Sequence, residues 1–168
     1  PPTLAVAQVS TSDVLCNGGS TGSITLTIQG GTPTYTTVWD NAANGSTLNG
    51  LVAGSYSATV TDANGCVVQI SATVNEPAPM VVTVDAPDTV CVNVPNTFSA
   101  TATGGAGGYI FNWGGFGFNP TVQLAFATSQ TVLLTVVDQD GCAGPSTPVE
   151  VTVLDLESAE FTTYGDTT

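Results

Sequence analysis

The residues of this chain best suited to chemistry are its four cysteines, Cys16, Cys66, Cys91 and Cys142, and that chemistry is oxidation to disulfides. Zinc is a poor alternative, because there is no Cys-x-x-Cys pair and no histidine. Oxygen donors form a second set. Asp62 with Asn64, and Asp138 with Asp140, fall in predicted turns, as do Asp13 and Asp40. Oxygen-rich loops of this kind can hold Ca²⁺. The same residues also cap turns with their own side chains, and Asp138-Gln139-Asp140-Gly141 lacks the rest of an EF-hand loop. A carboxylate pair can cleave glycosides, but no two acids stand out in spacing or context. General acid–base catalysis also draws on His and Lys, which are absent here. The chain therefore reads as a non-enzyme with no required cofactor, Ca²⁺ being the one ion its loops suggest.

The charge balance sets firm limits. There are 13 acidic residues and no Lys, Arg or His, a net charge of −13. Side-chain salt bridges and Lys–Asn isopeptide crosslinks cannot form, and trypsin has no site. Phosphate backbones are repelled, which excludes nucleic acid as a partner. The surface is soluble and gathers cations. Copies of the chain can associate only where apolar or backbone contacts overcome their repulsion.

The chain repeats once. Gly30 to Trp39 (GGTPTYTTVW) returns as Gly104 to Trp113 (GGAGGYIFNW), and Thr59 to Cys66 (TVTDANGC) returns as Thr135 to Cys142 (TVVDQDGC). Cys16 and Cys91 precede these blocks by similar distances. Each module thus has one leading and one closing cysteine. Four cysteines allow three pairings, and the repeat favours Cys16–Cys66 and Cys91–Cys142. Each such loop would add about 4 kcal/mol in the chain-entropy view. Small modules need such staples because they bury little apolar surface. The expected organisation is 1–77, 78–155 and a remainder, 156–168, that is a tail, a linker or a donated strand. Asn75-Glu76-Pro77-Ala78-Pro79 makes a short, stiff linker.

Hydrophobicity alternates with period two. Ile24, Leu26 and Ile28 share one face of a run; Tyr56, Ala58 and Val60, and Val68, Ile70, Ala72 and Val74, share others. The second module repeats this in Phe98, Ala100 and Ala102, in Val132, Leu134 and Val136, and in Val149, Val151 and Val153. Such runs predict strands with one buried and one Thr/Ser-rich face. Turn signals include Asn17-Gly18-Gly19, Asn49-Gly50, Asn64-Gly65 and Asp140-Gly141. The fold class is all-β: two tandem immunoglobulin-like antiparallel β-sandwiches, each with one disulfide. Each Trp falls in a third strand, and Gly54-Ser55-Tyr56 has the form of a tyrosine corner.

Two further groups invite an interface. Tyr35, Trp39, Trp113, Phe116 and Phe118 could stack on sugars, although core packing explains both Trp better. Phe116 and Phe118 stand among glycines and suggest an exposed patch. Leu4 and Val6, and Phe161 and Tyr164 in the tail, could fill a neighbour's open sheet edge. The alternative is that Leu4 to Val9 is strand A of its own module.

Module one resembles the SprB-type repeat of gliding adhesins of Bacteroidota. The resemblance rests on Cys16 to Ile24 (CNGGSTGSI), Gly30 to Tyr35, Trp39, Leu51 to Tyr56 (LVAGSY) and Val60 to Cys66 (VTDANGC). Module two is similar, more weakly, to PKD-like immunoglobulin sandwiches, through Gly104 to Trp113 and Val136 to Cys142. The resemblance implies a secreted, extracellular or cell-surface structural protein with no catalytic residues. It also implies O-glycans at Asp-Ser/Thr motifs, here Thr89 and Thr167, while Asn44 sits in an N-glycan sequon. Gliding adhesins carry many repeats, so this chain is expected to be a fragment or a small building block. It opens at Pro1 without initiator Met, signal peptide or lipidated cysteine, and reads as mature or excised material. No apolar run is long enough for a membrane helix. The expected function is a subunit of an extracellular filament or adhesive fibre whose partners are copies of itself. The alternatives are a module binding surface glycans and a Ca²⁺-stiffened spacer.

Overall fold

The computed structural model describes residues 2–155. The chain divides into two compact units: the first runs to Pro79 and includes Gly104–Ala106, and the second begins at Met80. The division falls two residues after the expected boundary at 77.

The first unit holds β1 (Ala5–Ser12), β2 (Gly22–Gln29), β3 (Thr36–Trp39), β4 (Thr47–Leu51), β5 (Gly54–Thr61) and β6 (Val67–Val74). They form two antiparallel sheets, β1-β2-β4 and β3-β5-β6. The alternating runs face inward as their period requires. Ile24, Leu26, Leu48 and Leu51 come from one sheet, and Trp39, Ala58, Val60, Ala72 and Val74 from the other, into one core. Each large apolar side chain so buried contributes roughly 1.5–3 kcal/mol.

The second unit holds β7 (Val81–Asp85), β8 (Thr89–Cys91), β9 (Asn96–Thr103), β10 (Ile110–Trp113), β11 (Thr121–Leu124), β12 (Gln130–Val137) and β13 (Thr147–Leu154). Its sheets are β11-β9-β7 and β10-β12-β13-β8, with β8 and β13 parallel. Phe98 meets Trp113 and Phe126 edge-on, with ring centroids 6.3 and 5.8 Å apart. Such ring pairs add specificity to a core already closed by Leu134, Val136 and Val151. Both units are immunoglobulin-like sandwiches.

The repeat is visible as repeated bonds. The Trp39 indole N–H donates to the Gly45 carbonyl (2.8 Å), and that of Trp113 to the Asn119 carbonyl (2.9 Å). Gly31 N–H donates to the Pro2 carbonyl and Gly105 N–H to the Ala78 carbonyl, both at 2.8 Å. Gly30 and Gly104 have φ of +69° and +81°, and a Cβ on either would strike the carbonyl of Thr3 or Pro79. That explains why each module carries a glycine pair here. A tyrosine corner forms in the first unit: Tyr56 Oη donates to the Val52 carbonyl at 2.9 Å.

Asn49-Gly50, expected as a turn, lies within β4 instead. Gly22 pairs with Leu51 but Ser23 with Asn49, so Gly50 is the extra residue of a β-bulge. Leu4 and Val6, considered as donors to a neighbour, belong to the chain's own first sandwich. Leu4 is buried and Val6 lies in β1, paired with Ile28 of β2. Phe161, Tyr164 and Thr167 lie outside the described residues.

Candidate functional site

Each closing cysteine ends the same tight loop. In the first unit Asp62 N–H donates to the Cys66 carbonyl (3.0 Å), and Gly65 N–H to the Asp62 carbonyl (3.0 Å). Asp62 Oδ1 accepts the N–H groups of Asn64 (2.9 Å) and Cys66 (2.8 Å), and Oδ2 accepts that of Thr32 (2.9 Å). In the second unit Asp138 N–H donates to the Cys142 carbonyl (3.0 Å). Asp138 Oδ1 accepts the N–H groups of Asp140 (3.0 Å) and Cys142 (2.9 Å). The Thr32 N–H beside Asp62, more than any other group, holds its carboxyl below the usual value of 3.8; the Cys66 and Asn64 N–H groups add to this against the opposing effect of burial. Both aspartates are buried and serve their turns with their own side chains. Asn64 and Asp140 contribute backbone N–H groups to those caps, and the Asn64 amide donates to Thr32 Oγ1. Among the described residues no group of three or more His, Cys, Asp or Glu is arranged to hold a metal.

The leading cysteines match too. Gly19 N–H donates to the Cys16 carbonyl (2.9 Å), and Val94 N–H to the Cys91 carbonyl (3.2 Å). Each turn has a left-handed third residue, Gly18 (φ 72°) or Asn93 (φ 54°). Each also lies beside the far end of the module's last strand. Val14 N–H donates to the Asn75 carbonyl, Gly18 N–H to Glu76 Oε2, and the Asn17 amide to the Pro77 carbonyl. In the second unit Cys91 pairs with Leu154, the last residue of β13.

The oxidation states correct the expected pairing. Cys16 and Cys142 are disulfide-bonded, whereas Cys66 and Cys91 carry free, exposed thiols. Neither Cys16–Cys66 nor Cys91–Cys142 is formed, since each expected pair has one bonded and one free member. The reason is length. Cys66 precedes β6 and Cys16 lies beside its far end; Cys142 precedes β13 and Cys91 lies beside its far end. A strand of 8 residues is about 26 Å long, and a disulfide needs Cα atoms within about 7 Å. Within one module the two cysteines mark opposite ends.

The other candidates are dispersed. Thr89 and Asn44 are exposed, as glycan acceptors must be. Asp13 accepts the Asn75 N–H. Asp40 Oδ2 accepts both the N–H (2.9 Å) and the hydroxyl (3.0 Å) of Ser57. The Ser57 N–H is the main cause holding Asp40 below its usual 3.8. Val38, Asp40, Thr59, Gln69 and Ser71 line a shallow groove of about 550 Å³ across β3, β5 and β6. Phe116 is half exposed and stacks edge-on against Phe126 at 5.8 Å. Phe118 is 64% exposed and enters none of the ring contacts among the described residues. Trp39 and Trp113 are core residues, 2% and 0% exposed.

Residues 9–44 match the family model of the SprB repeat. This stretch covers the second half of β1, all of β2 and β3 and the Cys16 turn. No curated protein matches the chain. The chain is similar in structure to the fibronectin(III)-like modules of CbhA from Clostridium thermocellum, at 17% identity and a TM-score of 0.43, over 88% of this chain and 95% of that one. It is also similar to the eight N-terminal Ig domains of Down Syndrome Cell Adhesion Molecule, at 11% identity and a TM-score of 0.44, over 91% of this chain. It spans only 25% of that longer chain. No helix among the described residues is long and apolar enough to cross a membrane.

Sequence reading identified the cysteines but not their pairing, and of its two readings of Asp62 and Asp138 the turn cap is the one observed. The signal for the aspartates was present: Asp followed by Gly three and Cys four residues later occurs in both modules at the same place. Asp40 was among the oxygen donors, but no motif signals its bonds to Ser57, which only the geometry shows.

Proposed function

We propose that the chain is a structural, adhesin-type unit of a bacterial cell exterior, secreted and assembled with copies of itself into an extracellular filament or adhesive fibre. The observation that carries this reading is the SprB-repeat match over residues 9–44, a stretch that supplies part of β1 and all of β2 and β3 to the first sandwich. Thr- and Ser-rich outer faces, a disulfide and the absence of any basic residue suit a non-sticky extracellular scaffold. Bacteroidota origin and glycans on exposed Thr89 and Asn44 accompany the reading. No residue is assigned a catalytic role.

Electron microscopy of the purified native material tests it. Regular filaments with a constant subunit repeat are expected. Monodisperse monomers at high concentration and moderate salt would overturn it.

Phe118 favours a second reading, glycan binding, because an exposed ring among glycines has little packing reason to be aromatic. Binding on a glycan array that disappears in Phe118→Ala would support it. The calcium-stiffened spacer draws no such support, since the Asp62 and Asp138 carboxylates already accept backbone N–H groups.

A further inference from the structure

Cys66 and Cys91 are a closing and a leading cysteine, as Cys142 and Cys16 are. Their surroundings are copies of those of the bonded pair. Cys66 ends an Asp62-capped loop as Cys142 ends the Asp138-capped one, with matching bonds at 2.8 and 2.9 Å. Cys91 opens a turn with a left-handed third residue, as Cys16 does. The local geometry of each free thiol therefore already supports a disulfide elsewhere in the same chain.

Their places in the modules give the direction. Cys66 lies at the amino-terminal pole of the first module, where Cys66, Asp62, Asn64, Pro2 and Leu4 line a cavity of about 210 Å³. Cys91 lies at the carboxy-terminal pole of the second, beside Leu154 on β8, the outer strand of its sheet. We propose that Cys91 of one copy forms a disulfide with Cys66 of the next, joining copies head to tail. This rests on the reading that copies assemble, and it names the contact.

Such a bond is heterologous, so it extends from copy to copy wherever the rotation between them does not close a ring. It also answers the repulsion between chains of net charge −13, which non-covalent contacts must otherwise overcome. The oxidant is a low-molecular-weight disulfide. The Cys91 thiolate attacks one of its sulfurs, forming a mixed disulfide and releasing one small thiol. The Cys66 thiolate of the next copy then attacks the Cys91 sulfur, forming the Cys66–Cys91 bond and releasing the second small thiol. Two protons leave the protein thiols, and the two electrons reduce the small disulfide.

The test incubates the full chain with oxidised glutathione and resolves the products on non-reducing gels, with peptide mapping of the crosslink. A ladder of covalent multimers that reductant collapses is expected, with Cys66–Cys91 as the mapped bond. Growth should be faster in 0.3 M than in 0.02 M salt, because screening shortens the reach of repulsion to below about 10 Å. C66S and C91S alone should each lose the ladder, while their mixture should give a dimer and stop there. Both positions are exposed, and an unchanged melting temperature checks that each variant is folded. Symmetric dimers of either variant, an intramolecular Cys66–Cys91 bond, or no covalent product would each overturn the proposal. Filaments of the double variant C66S/C91S under the microscope would leave the filament reading standing while this bond fell.

Discussion

Asp62 and Cys66 hold each other from both sides. The aspartate N–H donates to the cysteine carbonyl at 3.0 Å, and the cysteine N–H donates to the aspartate carboxylate at 2.8 Å. Asp138 and Cys142 repeat the arrangement. The carboxylate is thus the hub of the loop that leads from β5 into β6, and its counterpart does the same before β13.

Removing the hub leaves backbone donors without partners. Asp138→Ala should lower stability by roughly 2–4 kcal/mol, from two lost bonds to a charged acceptor. Asp138→Asn keeps an acceptor oxygen and should lose less. Asp62→Ala should lower the melting temperature more than Asp62→Asn. Urea midpoints of the four variants check the order, and equal losses for Ala and Asn would refute the hub role.

Stability should depend on acid in a defined window. Asp40 and Asp62 titrate below their ordinary 3.8 in the folded chain. Their contribution is complete above the unfolded value and is lost as pH falls through the lower folded values. The melting temperature should not fall between pH 7 and about 4.5 and should fall below about 3.8, with a smaller fall in Asp40→Asn/Asp62→Asn. Repulsion works in the opposite sense. Protonating the carboxylates of a chain with no bases relieves it, so a slight rise on the way down to pH 5 is expected.

Tyr56→Phe removes one hydrogen bond and little else. It should cost about 0.5–1.5 kcal/mol, read as a fall in melting temperature of a few degrees. Trp113→Ala should cost about 3–5 kcal/mol, because it empties the centre of a core and strands the Asn119 carbonyl.

Gly104→Ala and Gly30→Ala should each destabilise through backbone strain and collision with a carbonyl. Gly65→Ala meets open space but has φ of +82°, so it isolates the cost of conformation alone. Circular-dichroism melts should rank Gly65→Ala as the mildest of the three.

The strands with a clean period of two were legible, because a buried face demands it. Ser23 to Gln29 lies wholly within β2, and Val132, Leu134 and Val136 lie on the inner face of β12. The β4 strand was not, since Asn-Gly signals a turn and nothing local distinguishes a turn from a bulge. The disulfides misled for a different reason. A repeat shows which residues are equivalent, while bonding depends on which ends lie together, and β6 and β13 keep each module's two cysteines a strand length apart. The aspartates suggested either a cation or a turn cap, and the fold decides for the cap because backbone N–H groups take those oxygens.

The parallel pairing of β8 with β13 also decides how the second module bears load along these strands. A pull applied to the second module by itself, ahead of Thr89 and at Leu154, acts at opposite ends of two strands that run the same way. Pulling therefore slides them past each other. The bonds from Val92 N–H to the Leu154 carbonyl and from Thr152 N–H to the Asp88 carbonyl are strained together in shear rather than peeled one at a time. The first module has one equivalent bond, from Val14 N–H to the Asn75 carbonyl. Force is shared across the β8–β13 seam, and that sandwich resists such a pull as a rope splice does.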